Sequence, residues 1–173
     1  MYLDALEFLD DEREVWRPFE ALDGLTDAQL EASVEGAHGW SGRDLVAHVV
    51  GWQEIALAIA KELAINETSP TIARVDAEWD AHGDATNAAM IERWRDLPIG
   101  EVRQRLSTVP GELRGYLTVV PETRWLKNRA HLKSISEQTI DHYADHRADL
   151  TAILEAARGS APGREPVGGD IAG

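Results

Sequence analysis

The chain has 173 residues, and its seventeen Lys and Arg stand against thirty-one Asp and Glu, a formal net charge of −14. With 43% hydrophobic residues the length suits one buried core rather than a disordered acidic chain, and so acidic a surface repels phosphate, which weighs against nucleic acid and anionic membranes as partners. Cysteine is absent, which excludes a disulfide framework, a thiolate metal site and a cysteine nucleophile in this chain and leaves His and carboxylate as its metal ligands.

Near the start, Leu3, Leu6, Phe8, Leu9, Val15, Trp16 and Phe19 recur among acidic residues at three- and four-residue spacing. This predicts an amphipathic first helix ending before Gly24, kinked or closed early by Pro18. The acidic start lacks the basic region and apolar run of a signal peptide, and no stretch approaches the roughly 18 apolar residues of a membrane span, so a cytoplasmic protein is expected. Ser41 followed by Asp44 approximates a capping box, with Asp where the strict form has Glu or Gln. From there Leu45, His48, Val49, Trp52, Ile55, Ala56, Ile59 and Leu63 form one helical stripe, stopped by residues 66–70.

Between residues 68 and 84 the pattern weakens to a crossover with a short helical piece over 73–79. Helical spacing resumes over 84–97 through Ala88, Ile91 and Trp94. Val102, Leu106, Val109, Leu113, Leu117 and Val120 then form a narrow stripe like a bundle seam, in which Pro110 and Gly111 predict a kink or break. Ser134 with Glu137 reads as a second capping box, opening a last helix that carries Ile135, His142, His146, Asp149, Leu150 and Ile153 on one face to a Gly159 cap. The Gly- and Pro-rich end reads as a flexible tail. The reading is therefore an all-α four-helix bundle over residues 1–158, with extra short helical segments in the crossover, and a tail over 159–173.

Three of the six histidines lie on apolar stripes. His48 occupies the core row of its helix, and His142 and His146, four apart, stack on one face of the last. In an up-down-up-down bundle the second and fourth helices run parallel. The three would then lie roughly 10, 12 and 18 Å from the same end, near enough to converge on one ion. Singly, His48 reads as a hydrogen-bonded core histidine, and the pair as a solvated face beside Asp141, Asp145 and Asp149. Jointly, three neutral imidazoles facing an interior need something to satisfy their nitrogens, and a metal does so. His38, His82 and His131 read as surface residues, and the six tryptophans as packing. His142-Tyr143-Ala144-Asp145-His146 has the spacing of a two-histidine zinc motif, but Tyr143 stands where a protease would have its glutamate base.

Trp40-Ser41-Gly42-Arg43-Asp44-Leu45-Val46-Ala47-His48, with Val49 and Trp52, resembles the first signature of the DinB/YfiT-like superfamily. Thr139 with the His142 to His146 segment resembles its closing H-x-x-x-H helix. Asn87 and the Arg95-Asp96-Leu97 break resemble the middle region of members related to the colibactin self-protection proteins. The resemblance extends to about Arg158. It implies a four-helix bundle holding a divalent metal ion, zinc or nickel, through His48, His142 and His146, with a position left for water or substrate. Related proteins include mycothiol-dependent maleylpyruvate isomerases, which continue into a second domain, and bacillithiol transferases. The implied chemistry is thus a thiol-dependent S-transfer or isomerisation of a small-molecule electrophile, with a low-molecular-weight thiol as cosubstrate. A hydrolase using metal-activated water is the alternative, and a non-catalytic metal or small-molecule binder that pairs as a homodimer is the third. Asp145 and Asp149 are candidates to orient the ligand imidazoles, and Arg43 or Arg147 to make the pocket positive.

Overall fold

The computed structural model describes residues 2–160, so the tail expected over 159–173 lies, from residue 161 on, outside the described residues. The described residues are all-helical, without a strand, as the periodicities require. Helix α1 (Ala5–Trp16) is capped by Asp4, and Pro18 ends it by opening a 3-10 segment, Arg17–Gly24. A short α2 (Asp27–Glu31), which the sequence pattern did not reveal, starts on a full capping box of Thr26 and Gln29. The long α3 (Gly42–Ile65) is followed by α4 (Pro70–His82), α5 (Ala85–Arg95) and α6 (Ile99–Val119). The last rod comes in three pieces, α7 (Arg129–Glu137), α8 (Ile140–Asp145) and α9 (Arg147–Gly159).

The core is built from α3, which buries residues on most of its circumference, against α6 and the last rod, with α1 packed on α6 and α8. Among the described residues no helix is long and apolar enough to cross a membrane.

Four expectations are corrected. The helix expected over 84–97 is α5, but the crossover before it holds a full helix, α4, in place of a short piece over 73–79: Pro70 fits the first helical turn of α4, where its missing N–H costs nothing, so it begins a helix as well as ending the previous connection. Helix α6 runs through Pro110 and Gly111 as one element, which removes the break though not the kink that was its alternative, with Pro110 buried in the seam. Ser134 lies inside α7 and accepts from Gln138 Nε2 at 3.2 Å, while Asn128 is the cap, accepting from the backbone of Ala130 and His131.

The fourth correction concerns helix direction. Glu54, Lys61 and the Leu63 carbonyl of α3 meet Arg105, Glu112 and Arg124 in that order, so α3 and α6 run parallel. By contrast His48 meets His146 and Gln53 meets Tyr143, so α3 and the last rod are antiparallel rather than parallel. The cause is the α4–α5 pair, which leaves the end of α3 where Thr71 meets Glu62 and runs back along α3, past Trp52, to its start. Arg43, at the start of α3, clamps the end of that pair by donating to the carbonyls of Trp94, Arg95 and Leu97, and it also pairs with Glu31.

Close packing of α5 on α3 depends on Gly51, where an added Cβ would lie 2.4 Å from Met90 Sδ and 2.7 Å from Met90 Cγ. Gly51→Ala should therefore push α5 off α3 and cost about 1–3 kcal/mol. The check is a lower urea midpoint with an unchanged slope.

Candidate metal centre

The capping box at the start of α3 is complete: Ser41 N–H donates to Asp44 Oδ2 at 2.9 Å and Asp44 N–H to Ser41 Oγ at 3.1 Å. This fixes where α3 begins and hence the face on which His48 lies, two turns on and buried. Facing it, His142 closes one turn of the last rod with His146, whose N–H donates to the His142 carbonyl at 3.3 Å. The three imidazoles meet. Ring centroids are 4.7 Å apart for His48 and His142, 4.5 Å for His48 and His146, and 4.8 Å for His142 and His146. One ligand atom from each lies within 4.8 Å of the others, close enough to hold a metal ion.

Convergence thus survives the reversed helix direction. The first third of α3 lies beside the middle of the antiparallel rod, and the pairing depends on that register rather than on equal distance from one end.

Trp40, just before the cap, stacks on His146 with centroids 5.5 Å apart and lies 5.0 Å from His48. A tight turn holds it there: its N–H donates to the Ala37 carbonyl, and its carbonyl accepts from Val34. Trp52, one turn beyond His48, lies 5.9 Å from His142 and donates its indole N–H to Asn87 Oδ1 at 3.1 Å. Two indoles therefore flank the cluster. His48 is buried, and His142 and His146 are half-buried.

Burial keeps His48 and His142 neutral. Burial, followed by repulsion from His142 and His146, lowers the His48 pKa from 6.5 to about 2, and burial followed by His146 lowers that of His142 to about 3. Each therefore carries one N–H and one lone pair at neutral pH.

His146 Nδ1 lies 2.8 Å from Asp149 Oδ2, so this nitrogen carries a proton and donates it to the carboxylate, which turns Nε2 to the other rings. His48 Nε2 is 2.9 Å from that Nε2. His142 Nε2 and His48 Nδ1 are buried without a hydrogen-bond partner. Two ligands on a tetrahedral zinc are about 3.3 Å apart. Small side-chain adjustments bring this set to that spacing, and a cation accepting the His142 lone pair removes the cost of burying it. The residues fit a divalent ion of the zinc or nickel type, which takes imidazole nitrogen readily.

Other assignments are divided. Asp149 is buried and orients His146, whereas Asp145 is exposed and touches none of the three. Arg43 is engaged in the clamp on residues 94–97, and Arg147 is exposed. His82 is exposed, but His131 is half-buried and donates from Nδ1 to the Arg124 carbonyl. His38 has a largely exposed side chain on a left-handed backbone, φ 56°, and its Nε2 lies 3.6 Å from Asp149 Oδ1 at the rim. Sequence reasoning missed the role of Trp40, although it stands beside the cap, and missed buried Glu12. The signal for Glu12 was there: it lies four residues from both Phe8 and Trp16 on the apolar face of α1.

The family described as mycothiol maleylpyruvate isomerase N-terminal domain matches residues 9–134. That span includes Trp40, the cap and His48 and stops before His142 and His146. No curated protein and no solved structure matches the chain. The match covers most of the sequence, the fold agrees with the DinB-like resemblance, and the chain belongs to the mycothiol maleylpyruvate isomerase N-terminal domain family.

Proposed function

We propose that the protein is a metal-dependent enzyme in which His48, His142 and His146 hold a divalent metal, zinc or nickel, and a low-molecular-weight thiol is directed at a small electrophile for S-transfer or isomerisation. The observation that carries this reading is the partnerless, buried Nε2 of His142 beside two further imidazoles. A divalent ion held there supplies Lewis acidity for activating a thiol at neutral pH.

The chain's own groups do the rest. Asp149 keeps the proton of His146 on Nδ1, so that Nε2 faces the cluster. Trp40 and Trp52 keep water from two sides of the imidazoles. Three protein ligands leave coordination positions for thiol and substrate. Because the chain has no cysteine, the thiol arrives as cosubstrate. The family's name, which joins mycothiol to an isomerase, supports a thiol of that kind.

Metal-stripped protein titrated with zinc and with nickel is expected to bind one equivalent. The loaded protein, assayed with mycothiol, bacillithiol or glutathione against maleylpyruvate and a general electrophile such as monochlorobimane, is expected to turn over only with both metal and thiol present. Turnover of an ester or other hydrolysable probe without thiol would favour the hydrolase reading, and failure to bind either metal would remove both. Asp149→Asn, which withdraws the charge behind His146, should weaken metal binding by about tenfold, read by competition with a chromogenic chelator.

A further inference from the structure

A second cluster of buried polar side chains joins all four long elements of the fold. Glu12 of α1, Gln53 of α3 and Tyr143 of α8 are fully buried, and Arg114 of α6 reaches them from the edge of the core. Arg114 Nε donates to Glu12 Oε2 at 2.5 Å, the Tyr143 hydroxyl donates to Glu12 Oε1 at 3.1 Å, and Gln53 Nε2 donates to the Tyr143 hydroxyl at 2.7 Å. Trp16 and Phe19 close on the Tyr143 ring with centroids 5.3 and 6.0 Å away. Burying such an ion pair adds little net stability, because desolvation offsets the attraction; its best-attested use is to select one arrangement among alternatives.

The arrangement to be selected is that of α8. Six residues are too few to hold a helix by their own hydrogen bonds. Its flanks are irregular as well: Thr139 has φ −129° and ψ −103°, and His146 has φ −94° and ψ 11°. The rotation of α8 about its axis must therefore be imposed by its neighbours. Tyr143 is the buried residue of α8, and it directly follows His142. With successive residues about 100° apart around a helix, fixing the direction of Tyr143 fixes those of His142 and His146.

We propose that the Glu12–Tyr143–Gln53 cluster is a positioning device: by holding the Tyr143 hydroxyl it sets the rotation of α8 and so aims His142 and His146 at His48. Its consequence for metal affinity rests on the metal-site reading above; its consequence for the imidazoles themselves does not.

The test uses full-length protein with cobalt(II) as the probe. Tyr143→Phe keeps the ring and removes only the hydroxyl, and it should lower cobalt affinity by about tenfold and shift the visible absorption bands of the bound ion. Gln53→Met, which removes the other partner of the hydroxyl, should act in the same direction. Leu117→Val, a buried change in α6, serves as the control for general destabilisation and should bind as the parent does. In metal-free protein, the ring nitrogen resonances of His142 and His146 should move in Tyr143→Phe and stay in place in Leu117→Val. A parent that binds no cobalt overturns the metal reading alone, and the metal-free resonances then decide the positioning. If the parent binds and Tyr143→Phe binds equally well with the same spectrum, or if the ring resonances are unmoved, the positioning proposal is overturned.

Discussion

His142→Ala protein is expected to show no rise in melting temperature on addition of zinc, whereas the parent at a thousandfold excess over its dissociation constant should gain roughly 8–16 °C. That range follows from about 4 kcal/mol of binding linkage and about 2–4 °C per kcal/mol for a chain of this size. The metal-free comparison is equally informative. His142 Nε2 is buried without a partner, a state that costs about 1–3 kcal/mol. Removing the ring relieves that cost while giving up its packing beside Trp52 and the other imidazoles. The metal-free variant should therefore lie within about 1 kcal/mol of the parent. A histidine serving only as a satisfied core residue would behave in the opposite way, with a clear loss of stability and no change in response to zinc. Retention of the full zinc-dependent rise in both His142→Ala and His48→Ala would sink the site.

Acid should destabilise the metal-free protein well before ordinary carboxylates titrate. Between the ordinary histidine value of 6.5 and the folded values of about 2 for His48 and about 3 for His142, the unfolded chain binds protons that the folded chain refuses. Stability is thus fully present above pH 6.5 and falls as pH falls through that window. The upper bound on the slope is about 1.4 kcal/mol per pH unit for each histidine, about 2.7 for both. Glu12 and Glu54 act in the other sense, since burial raises both above their ordinary value and their contribution is lost as pH rises through the shifted values. The comparison that isolates the histidines is therefore the double variant His48→Ala/His142→Ala. Urea midpoints measured from pH 7 down to 4.5 should fall steeply for the parent and much less for the double variant; parallel curves would mean that the imidazoles are not held neutral.

Much of this site was legible in a single sequence, for identifiable reasons. Ser41 and Asp44 satisfy each other's backbone across one turn, so the start of α3 and the face of His48 are local properties. His142 and His146 share a face because they are four residues apart, whatever the rest of the chain does. Asp149, one turn on from His146, reaches its ring for the same reason. Ser134 misled because Ser followed by Glu at the third position is a cap only where a helix begins. Asn128, six residues earlier, had already begun α7.

The direction of the last rod lay beyond local reasoning. The α4–α5 pair and the Arg43 clamp decide it, through bonds between residues about fifty positions apart. Glu12, Gln53, Arg114 and Tyr143 meet from four separate helices, and no periodicity within one helix encodes that meeting.

The sequence by itself determined the all-helical class, the start of α3 fixed by its reciprocal cap, the pairing of His142 with His146 and the absence of any thiol in the chain. Those properties depend on residues a turn or so apart, or on composition alone. Only the tertiary structure decided the antiparallel register that brings His48 to His146, the indoles of Trp40 and Trp52 on either side, and the buried cluster behind Tyr143. Those depend on which helix faces pack together, and that choice is made by the summed burial of a core drawn from the whole chain rather than by any one segment.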